Sequence, residues 1–261
     1  MIDDSTRRFT NRVADYVKFR PAYPREVATF AQVELGVAPG AAVADIGAGT
    51  GLSTKLFLDA GHPVTAVEPN AAMREAADAF LAAYAQDGRY RSVAGTAEAT
   101  TLAESSVDLV SAAQAFHWFR KDETRREFAR ILKPRGKIVL FWNSRLLEGS
   151  AFLEGYEALL QRFCADYAQV AETYPDAAAM AHWFGEGFEH QTVFPNAQLL
   201  DFDGLSGRLM SSSYAPQPGD ARHAPMLAAL RELFDTTQQD GRVNFAYETR
   251  VYAGRPVRAG T

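Results

Sequence analysis

The stretch VADIGAGTG, Val43 to Gly51, decides how this chain is read. A short apolar run ends in an acid, Asp45, and three glycines follow at alternate positions, Gly47, Gly49 and Gly51. Glycines this close let a backbone bend into conformations closed to other residues and let another group lie against it. The segment LSTKLFLDAG follows directly, with Leu52, Leu56 and Phe57 on one helical face and Gly61 as a stop. A buried strand, a glycine turn and a helix open a βαβ unit. The start of such a helix offers unpaired N–H groups and a partial positive charge to an anionic group.

The same rhythm continues outward. PVTAVEP reads as a second strand, and NAAMREAADAFLAAY as one helix with Asn70 as its N-cap and Met73, Ala77, Phe80, Leu81 and Tyr84 on its inner stripe. YRSVAG and VDLVSAAQA are a third and a fourth strand. ETRREFARIL is a helix closed by the turn KPRG, and KIVLFWN is a fifth strand. Such alternation predicts an α/β fold, a doubly wound parallel sheet with helices on both faces. After Asn143 the pattern changes. Residues 146–190 read as mostly helical and rich in aromatics, a cap over the sheet. TVFPNAQLLD is a sixth strand broken or turned at Pro195, LAALRELFDTTQQDG a helix, and VNFAYETRVYAG a last, seventh strand. Before the first strand, RFTNRVADYVKFRPAYP places Phe9, Val13, Tyr16 and Val17 on one helical face, and Pro21 biases Arg20 out of the helix. This segment either packs on the sheet edge or forms a lid.

Composition narrows the function classes. The 261 residues are 47% hydrophobic and 23% charged, with a net charge of −5, an acidic balance that argues against nucleic acid as a bulk partner. The single cysteine, Cys164, forms no internal disulfide and reads as an apolar filler. No apolar run reaches the ~18 residues of a membrane span, and the acidic start MIDDSTRRFT is no secretory signal, so a cytoplasmic protein without membrane attachment is expected. His182, His190 and His223 lack metal-ligand spacing, and no metal is expected.

The loop alone leaves its ligand open between a pyrophosphate and a carboxylate. A dinucleotide fingerprint, G-x-G-x-x-G, needs a third glycine for close helix packing, and Leu52 stands there instead. Glu68, nineteen positions after Gly49 at the end of the second strand, can accept both hydroxyls of a ribose. That carboxylate suits any adenosine cofactor, NAD included.

The pieces RPAYP, VADIGAGTG, AVEPN, GTAEATTL, VDLVSAAQAFHWF and LKPRGKIVLFWN, in this order and spacing, resemble the class I S-adenosylmethionine-dependent methyltransferases. Within that class they resemble the type 11 small-molecule group related to trans-aconitate methyltransferase. The resemblance implies a Rossmann-like seven-stranded sheet with a late antiparallel strand, an N-terminal lid helix and a helical cap insertion. One domain, 1–261, would then comprise a lid (1–24), a cofactor core (25–145), a cap at the acceptor (146–215) and a closing helix and strand (216–261). By position, Gly47, Ala48 and Gly49 would wrap the methionine part of the cofactor. Asp45 would steady the loop and the cofactor's amino end, and Glu68 would hold the ribose. Met73, Thr96 and Ala97 would border the adenine; many relatives carry an acid where this chain has Thr96. Gln114 and Ala115 would touch the methionine, and Tyr16 and Arg20 would close over its carboxylate.

Methyl transfer displaces a neutral leaving group, so it needs alignment and dryness rather than an acid. A carboxylate acceptor needs no base, whereas a hydroxyl or amine does. His117 in FHWF is a candidate base, or else a wall residue that bonds to the backbone. Arg145 and Arg208 are candidates to pair with an acidic acceptor, or else surface residues. The implied activity is methyl transfer from S-adenosylmethionine, with S-adenosylhomocysteine as product, to a small organic acceptor such as a carboxylate. The alternatives are an S-adenosylmethionine-binding protein without turnover and, disfavoured by Leu52, an NAD-dependent oxidoreductase.

Overall fold

The computed structural model describes residues 19–167, 176–212 and 214–256. Seven strands form one sheet in the order β3-β2-β1-β4-β5-β7-β6. They are β1 (Val43–Ile46), β2 (Val64–Val67), β3 (Tyr90–Val93), β4 (Val107–Ala113), β5 (Leu132–Arg145), β6 (Phe188–Leu200) and β7 (Val243–Gly254). The first five strands are parallel. The last, β7, lies antiparallel between β5 and β6. The order reverses between β1 and β4, and in open α/β sheets ligands bind past the carboxyl ends of the strands at that reversal. The glycine loop after β1 and the turn after β4 flank it.

Parallel strands are covered on both faces, and β1 is buried along its whole length, Asp45 included. On one face α1 (Glu26–Val33) and α2 (Leu52–Asp59) pack Val27, Ala31, Leu56 and Phe57 against Val43, Leu109, Val139, Phe141 and Val251. On the other, α5 (Lys121–Ile131) and α7 (Ala177–Phe184) pack Phe128, Ile131, Trp183 and Phe184 against Val110, Leu140 and Trp142. Each such side chain contributes roughly 1.5–3 kcal/mol by leaving water. A third cluster joins α6 (Ala151–Phe163), α8 (Phe202–Met210) and α9 (His223–Thr237) to Val243, Phe245 and Tyr247, the start of β7. Cys164 sits in this cluster, and burial pushes its thiol up to about 11.

Several elements depart from their sequence reading. The helix expected over 70–84 divides at Leu81 into α3 (Ala71–Phe80) and α4 (Ala82–Gln86), and Phe80 turns outward, 38% exposed. Asn70 caps α3 through its side-chain oxygen, which accepts from the Met73 N–H at 3.2 Å. The KPRG segment is a bulge, because Leu132 already pairs with Val107 and the ladder resumes at Lys137 opposite Leu109. The sixth strand starts at Phe188 and runs unbroken through Pro195, which sits opposite Glu248. It is the edge strand, where a proline's missing N–H costs no ladder bond if it faces outward. The expected N-terminal helix, Tyr16 included, lies outside the described residues. Among the described residues no helix is long and apolar enough to cross a membrane.

One buried side chain ties these layers together. Asn143 of β5 donates through Nδ2 to the carbonyls of Pro21 and Ala22 at 3.5 and 3.2 Å. Its Oδ1 accepts from Thr249 Oγ1 at 2.6 Å and from Asn196 Nδ2 at 3.1 Å. The segment before α1 is thereby fastened to β5, β6 and β7 at once. Asn143→Ala leaves the buried Thr249 hydroxyl without its partner, at about 1–3 kcal/mol for one stranded group. Urea denaturation of this variant should show a loss of about 2–4 kcal/mol, other network bonds included. A loss below about 0.5 kcal/mol would contradict this role.

Candidate active site

The glycine loop is shaped by two different needs. Gly47 has φ +68°, and a Cβ there would meet the Ala115 Cβ at 2.7 Å and the Phe119 ring at 3.4 Å. Close packing therefore requires Gly47, and it joins the loop to the turn after β4. Gly49 has φ +55°, yet a Cβ there would meet nothing within 4 Å. Its bare backbone borders open space of the kind a ligand's backbone-hugging tail requires. Asp45 is fully buried and braces the loop from below, its Oδ2 accepting from Ser53 Oγ and Thr54 Oγ1, both at 2.7 Å. These hydroxyls lie on the first turn of α2, so Asp45 fastens strand end to helix start. Burial raises its carboxyl above the usual range against the pull of these hydroxyls. The N–H groups of Gly47 and Ala48 both point to the Val67 carbonyl, at 2.8 and 3.2 Å.

Glu68 follows Val67 and completes this corner. Its Oε2 accepts from the Gly49 N–H at 3.0 Å and its Oε1 from the Asn70 N–H at 2.9 Å. Burial raises its carboxyl, opposed by these two bonds and by the charge of Arg74. Arg74 Nη1 donates to the carbonyls of Glu68 and Pro69, both at 2.8 Å. An ionised carboxylate has about four acceptor positions, so roughly one on each oxygen remains for a pair of hydroxyls.

The remaining expected cofactor contacts line the neighbouring strand ends. Met73 is buried on the first turn of α3. Thr96 is half-buried, Ala97 is buried, and the turn between them and Ala99 is held by reciprocal bonds at 3.1 and 3.2 Å. Gln114, just past β4, has φ +54°, an uncommon conformation for a residue other than glycine. Its N–H donates to the Phe141 carbonyl at 3.0 Å and its Nε2 to the Asn143 carbonyl at 3.2 Å. Its Oε1 is buried and has no hydrogen-bond partner among the described residues. Backbone strain at such a position marks a site whose surroundings over-determine it.

His117 lies on the short helical turn Phe116–Trp118 that follows Gln114. Burial and the neighbouring Lys121 charge lower its imidazole to about 4. Lys121, itself lowered to about 8 by burial, pins this turn. Its Nζ donates to the carbonyls of Phe116 and Phe119 and lies 4.0 Å over the Phe116 ring.

The arginines are not surface residues. Arg145 pairs with Glu157 and donates to Tyr167 Oη at 2.7 Å, with 11% of its side chain exposed. It is committed within the protein and does not present a guanidinium to an acceptor. Arg208, 7% exposed, donates to Tyr247 Oη and Ser212 Oγ, both at 3.1 Å. Arg20 Nη2 donates to the Ser211 carbonyl at 3.1 Å, which brings the segment before α1 to the end of α8.

Asp45, Gly47, Ala48, Gly49, Glu68, Gln114 and Ala115 thus converge on one corner, with Met73, Thr96 and Ala97 on the adjoining strand ends. Arg20 and Arg208 lie further along β5 and β7, and Tyr16 is outside the described residues. The residues unread in the sequence are Lys121, Asn143 and Tyr247. Asn143 carried a usable signal: like Asp45 and Glu68, it is a polar residue closing a buried parallel strand. A groove of about 650 Å³ between α1 and α2 includes none of Asp45, Glu68, Gln114 or His117 and is separate from this corner.

A methyltransferase domain profile matches residues 44–140. An uncharacterized methyltransferase-like protein of Schizosaccharomyces pombe is 29% identical over 256 residues, covering 95% of this chain and 94% of the relative. An uncharacterized methyltransferase of Geobacillus kaustophilus is 30% identical over 165 residues, covering 59% of this chain and 74% of the relative. A solved structure from Anaeromyxobacter dehalogenans, provisionally described as a type II methyltransferase, shares the fold with a TM-score of 0.68 at 23% identity. It covers 92% of this chain and all of that one. Geranyl diphosphate C-methyltransferase from Streptomyces coelicolor aligns with a TM-score of 0.50 at 15% identity, covering 88% of this chain and 75% of that one. The chain belongs to the S-adenosylmethionine-dependent methyltransferases.

The two glycines should separate by experiment. Gly47→Ala combines a strained backbone with an overlap on Ala115 and should cost about 2–4 kcal/mol of stability. Gly49→Ala should cost only about 1–2 kcal/mol, the backbone strain alone, while weakening S-adenosylmethionine at least tenfold. Denaturation and calorimetry on both variants check this, and an unchanged affinity in Gly49→Ala refutes the assigned cradle.

Proposed function

We propose that the protein methylates a small organic acid on a carboxylate oxygen, with the methyl donor bound in the corner between Gly49 and Glu68. The observation that carries this reading is the Glu68 carboxylate. It is held by the Gly49 and Asn70 N–H groups with one acceptor position left on each oxygen. The residues fit the donor: bare backbone at Gly49 for its amino-acid tail, a paired-acceptor carboxylate for its ribose, and the buried Gln114 Oε1 on the tail side. The Streptomyces coelicolor enzyme was solved with S-adenosyl-L-homocysteine, the demethylated donor, on the same fold. When bound, the donor supplies a methyl group on a positively charged sulfur, which departs as a neutral thioether as the acceptor oxygen takes the methyl.

The chain's own residues then have three tasks. Asp45 and Glu68 fix the loop and the sugar, so orientation is prepaid. Phe116, Phe119 and the pinned turn around them exclude water. His117, lowered to about 4, is a neutral and feeble base at pH 7, far from the optimum near the working pH. Such a residue suits an acceptor that arrives already ionised, as a carboxylate does. It orients or walls the acceptor rather than taking a proton. The acidic net charge favours a small-molecule partner over nucleic acid.

Glu68→Ala should weaken S-adenosylmethionine by more than tenfold, since hydrogen bonds to a charged group contribute about 1.5–3 kcal/mol. His117→Ala should leave that affinity within about twofold, a difference of roughly 0.4 kcal/mol. Calorimetry with S-adenosylmethionine, S-adenosylhomocysteine and NAD reads both, and a preference for NAD overturns the assignment. With labelled donor and a library of acids, alcohols and amines, transfer should fall on acids. Its rate should show no fall centred on the ordinary histidine value of about 6.5, because His117 is held near 4 and an ordinary acceptor carboxylate is already ionised there. A rate that falls through about pH 6.5 on acidification points to a general base with an ordinary histidine value. Silence across the library favours a binding protein without turnover.

A further inference from the structure

The edge strand β6 carries its side chains the opposite way round from an ordinary surface strand. An antiparallel strand with one face in water puts apolar residues inward and polar ones outward. Here the inward row is Phe194, Asn196, Gln198 and Leu200, and its two amides are spent inside the protein. Asn196 donates to the Ala22 carbonyl at 2.8 Å, and Gln198 donates to the Phe19 carbonyl at 3.1 Å and accepts from Tyr247 Oη at 2.9 Å. The outward row is Val193, Pro195, Ala197 and Leu199, all exposed, Leu199 at 65%. Pro195 blunts the edge itself against a further paired strand, so what remains to be covered is the face.

The same face continues onto β7. Val193, Pro195, Ala197 and Leu199 lie opposite Arg250, Glu248, Ala246 and Asn244. On the far side of these strands α6, α8 and α9 pack on Val243, Phe245 and Tyr247. On this side α7 packs with Trp142, Phe188 and Tyr252, and beyond Tyr252 the β6 row stays open. Contiguous exposed apolar surface of this kind marks an interaction site. The charges on it are one acid and one base, Glu248 and Arg250, 3.3 Å apart and both partly exposed. A face that is neutral overall, with the two signs side by side, complements a copy of itself turned through a half rotation better than it does an acidic or a basic partner.

We propose that two copies of this chain meet on the face formed by Val193, Pro195, Ala197 and Leu199 with Glu248 and Arg250. Their two-fold axis lies in the plane of the face and crosses β7 at Thr249. Glu248 of each copy then meets Arg250 of the partner subunit, and Val193 meets Pro195 of the partner subunit. The α7-covered end of each copy lies over the bare Ala197–Leu199 end of the other. The bare strip spans Asn244–Arg250 of β7 and its neighbours, ~24 Å long and ~14 Å wide at ordinary strand spacings, or roughly 300 Å² of flat face. The two-fold engages each strip and each α7 end, so a copy contributes about twice that, somewhat short of the ~800 Å² per partner of a standard interface. The pair is therefore reversible, with a dissociation constant on the order of micromolar. None of these residues belongs to the corner proposed for the cofactor.

The test is sedimentation equilibrium of the full chain from about 1 to 200 µM, a range that brackets micromolar association. The wild type should pass from monomer to dimer. Val193→Glu and Leu199→Glu should each weaken association at least tenfold with thermal unfolding unchanged. Glu248→Arg should weaken it at least threefold by setting arginine against arginine, and the double exchange Glu248→Arg with Arg250→Glu should restore it to within twofold. A pair that acts only within one chain would leave the association unmoved. Should the β6 variants fail to fold, Glu248→Arg and the double exchange carry the test. A wild type that is monomeric throughout, or a dimer that none of these changes weakens, overturns the proposal, and a double exchange that restores nothing overturns the two-fold at Thr249. If the monomer's Val193 and Leu199 resist hydroxyl-radical labelling, a segment of the same chain covers the face; if they are labelled, the face belongs to a different protein.

Discussion

The structure turns on a half-buried carboxylate held by two backbone N–H groups. Glu68 accepts from Gly49 on one side and Asn70 on the other, so one acid joins the loop after β1 to the start of the helix after β2. Partial burial raises its affinity for a proton, a cost offset in part by those two N–H groups. The cost is sensible where a ligand needs a fixed pair of acceptors in a dry corner. Asp45 repeats the device one strand away, buried and held by two hydroxyls of α2. Between them the loop has little freedom left, and Gly49 is the point at which its backbone lies open.

The rest of the fold serves this corner. Short apolar strands bring the carboxyl ends of β1, β2 and β4 level, and packing of Gly47 on Ala115 sets the distance between the two sides of the crevice. Beyond it β5, β7 and β6 continue as a longer antiparallel group, and α6, α8 and α9 gather on that extension. Asn143 stands at the junction, bonded to the N-terminal segment on one side and through its carbonyl to Gln114 on the other. The corner proposed for the cofactor and an arginine-bearing extension thus share one wall. The weakly basic His117 borders the first, and the charged, carboxylate-free Arg208 sits in the second.

Much of this is legible in the sequence because it is local. Glycines at alternate positions after an apolar run, acids closing Asp45 and Glu68 strands, and Asn70 before a helix all act through near neighbours, and the sheet follows from their order. What escapes is set by tertiary partners. Pro195 looks like a strand break until the strand proves to be an edge. Phe80 fits the inner stripe until the helix divides at Leu81. Arg145 and Arg208 look alike as charged residues near strand and helix ends, and only packing shows that both are buried and that one has an acid beside it. Lys121 sits in a run of mixed charge whose simple reading is a solvated face, and its role in pinning the His117 turn depends on Phe116 lying beneath it.

The most direct test is a crystal structure of the protein with S-adenosylhomocysteine. Both ribose hydroxyls should lie within hydrogen-bond distance of the Glu68 carboxylate, with the amino-acid tail against the Gly49 backbone. A complex with the nucleoside elsewhere, or with Glu68 touching only its own backbone, contradicts it.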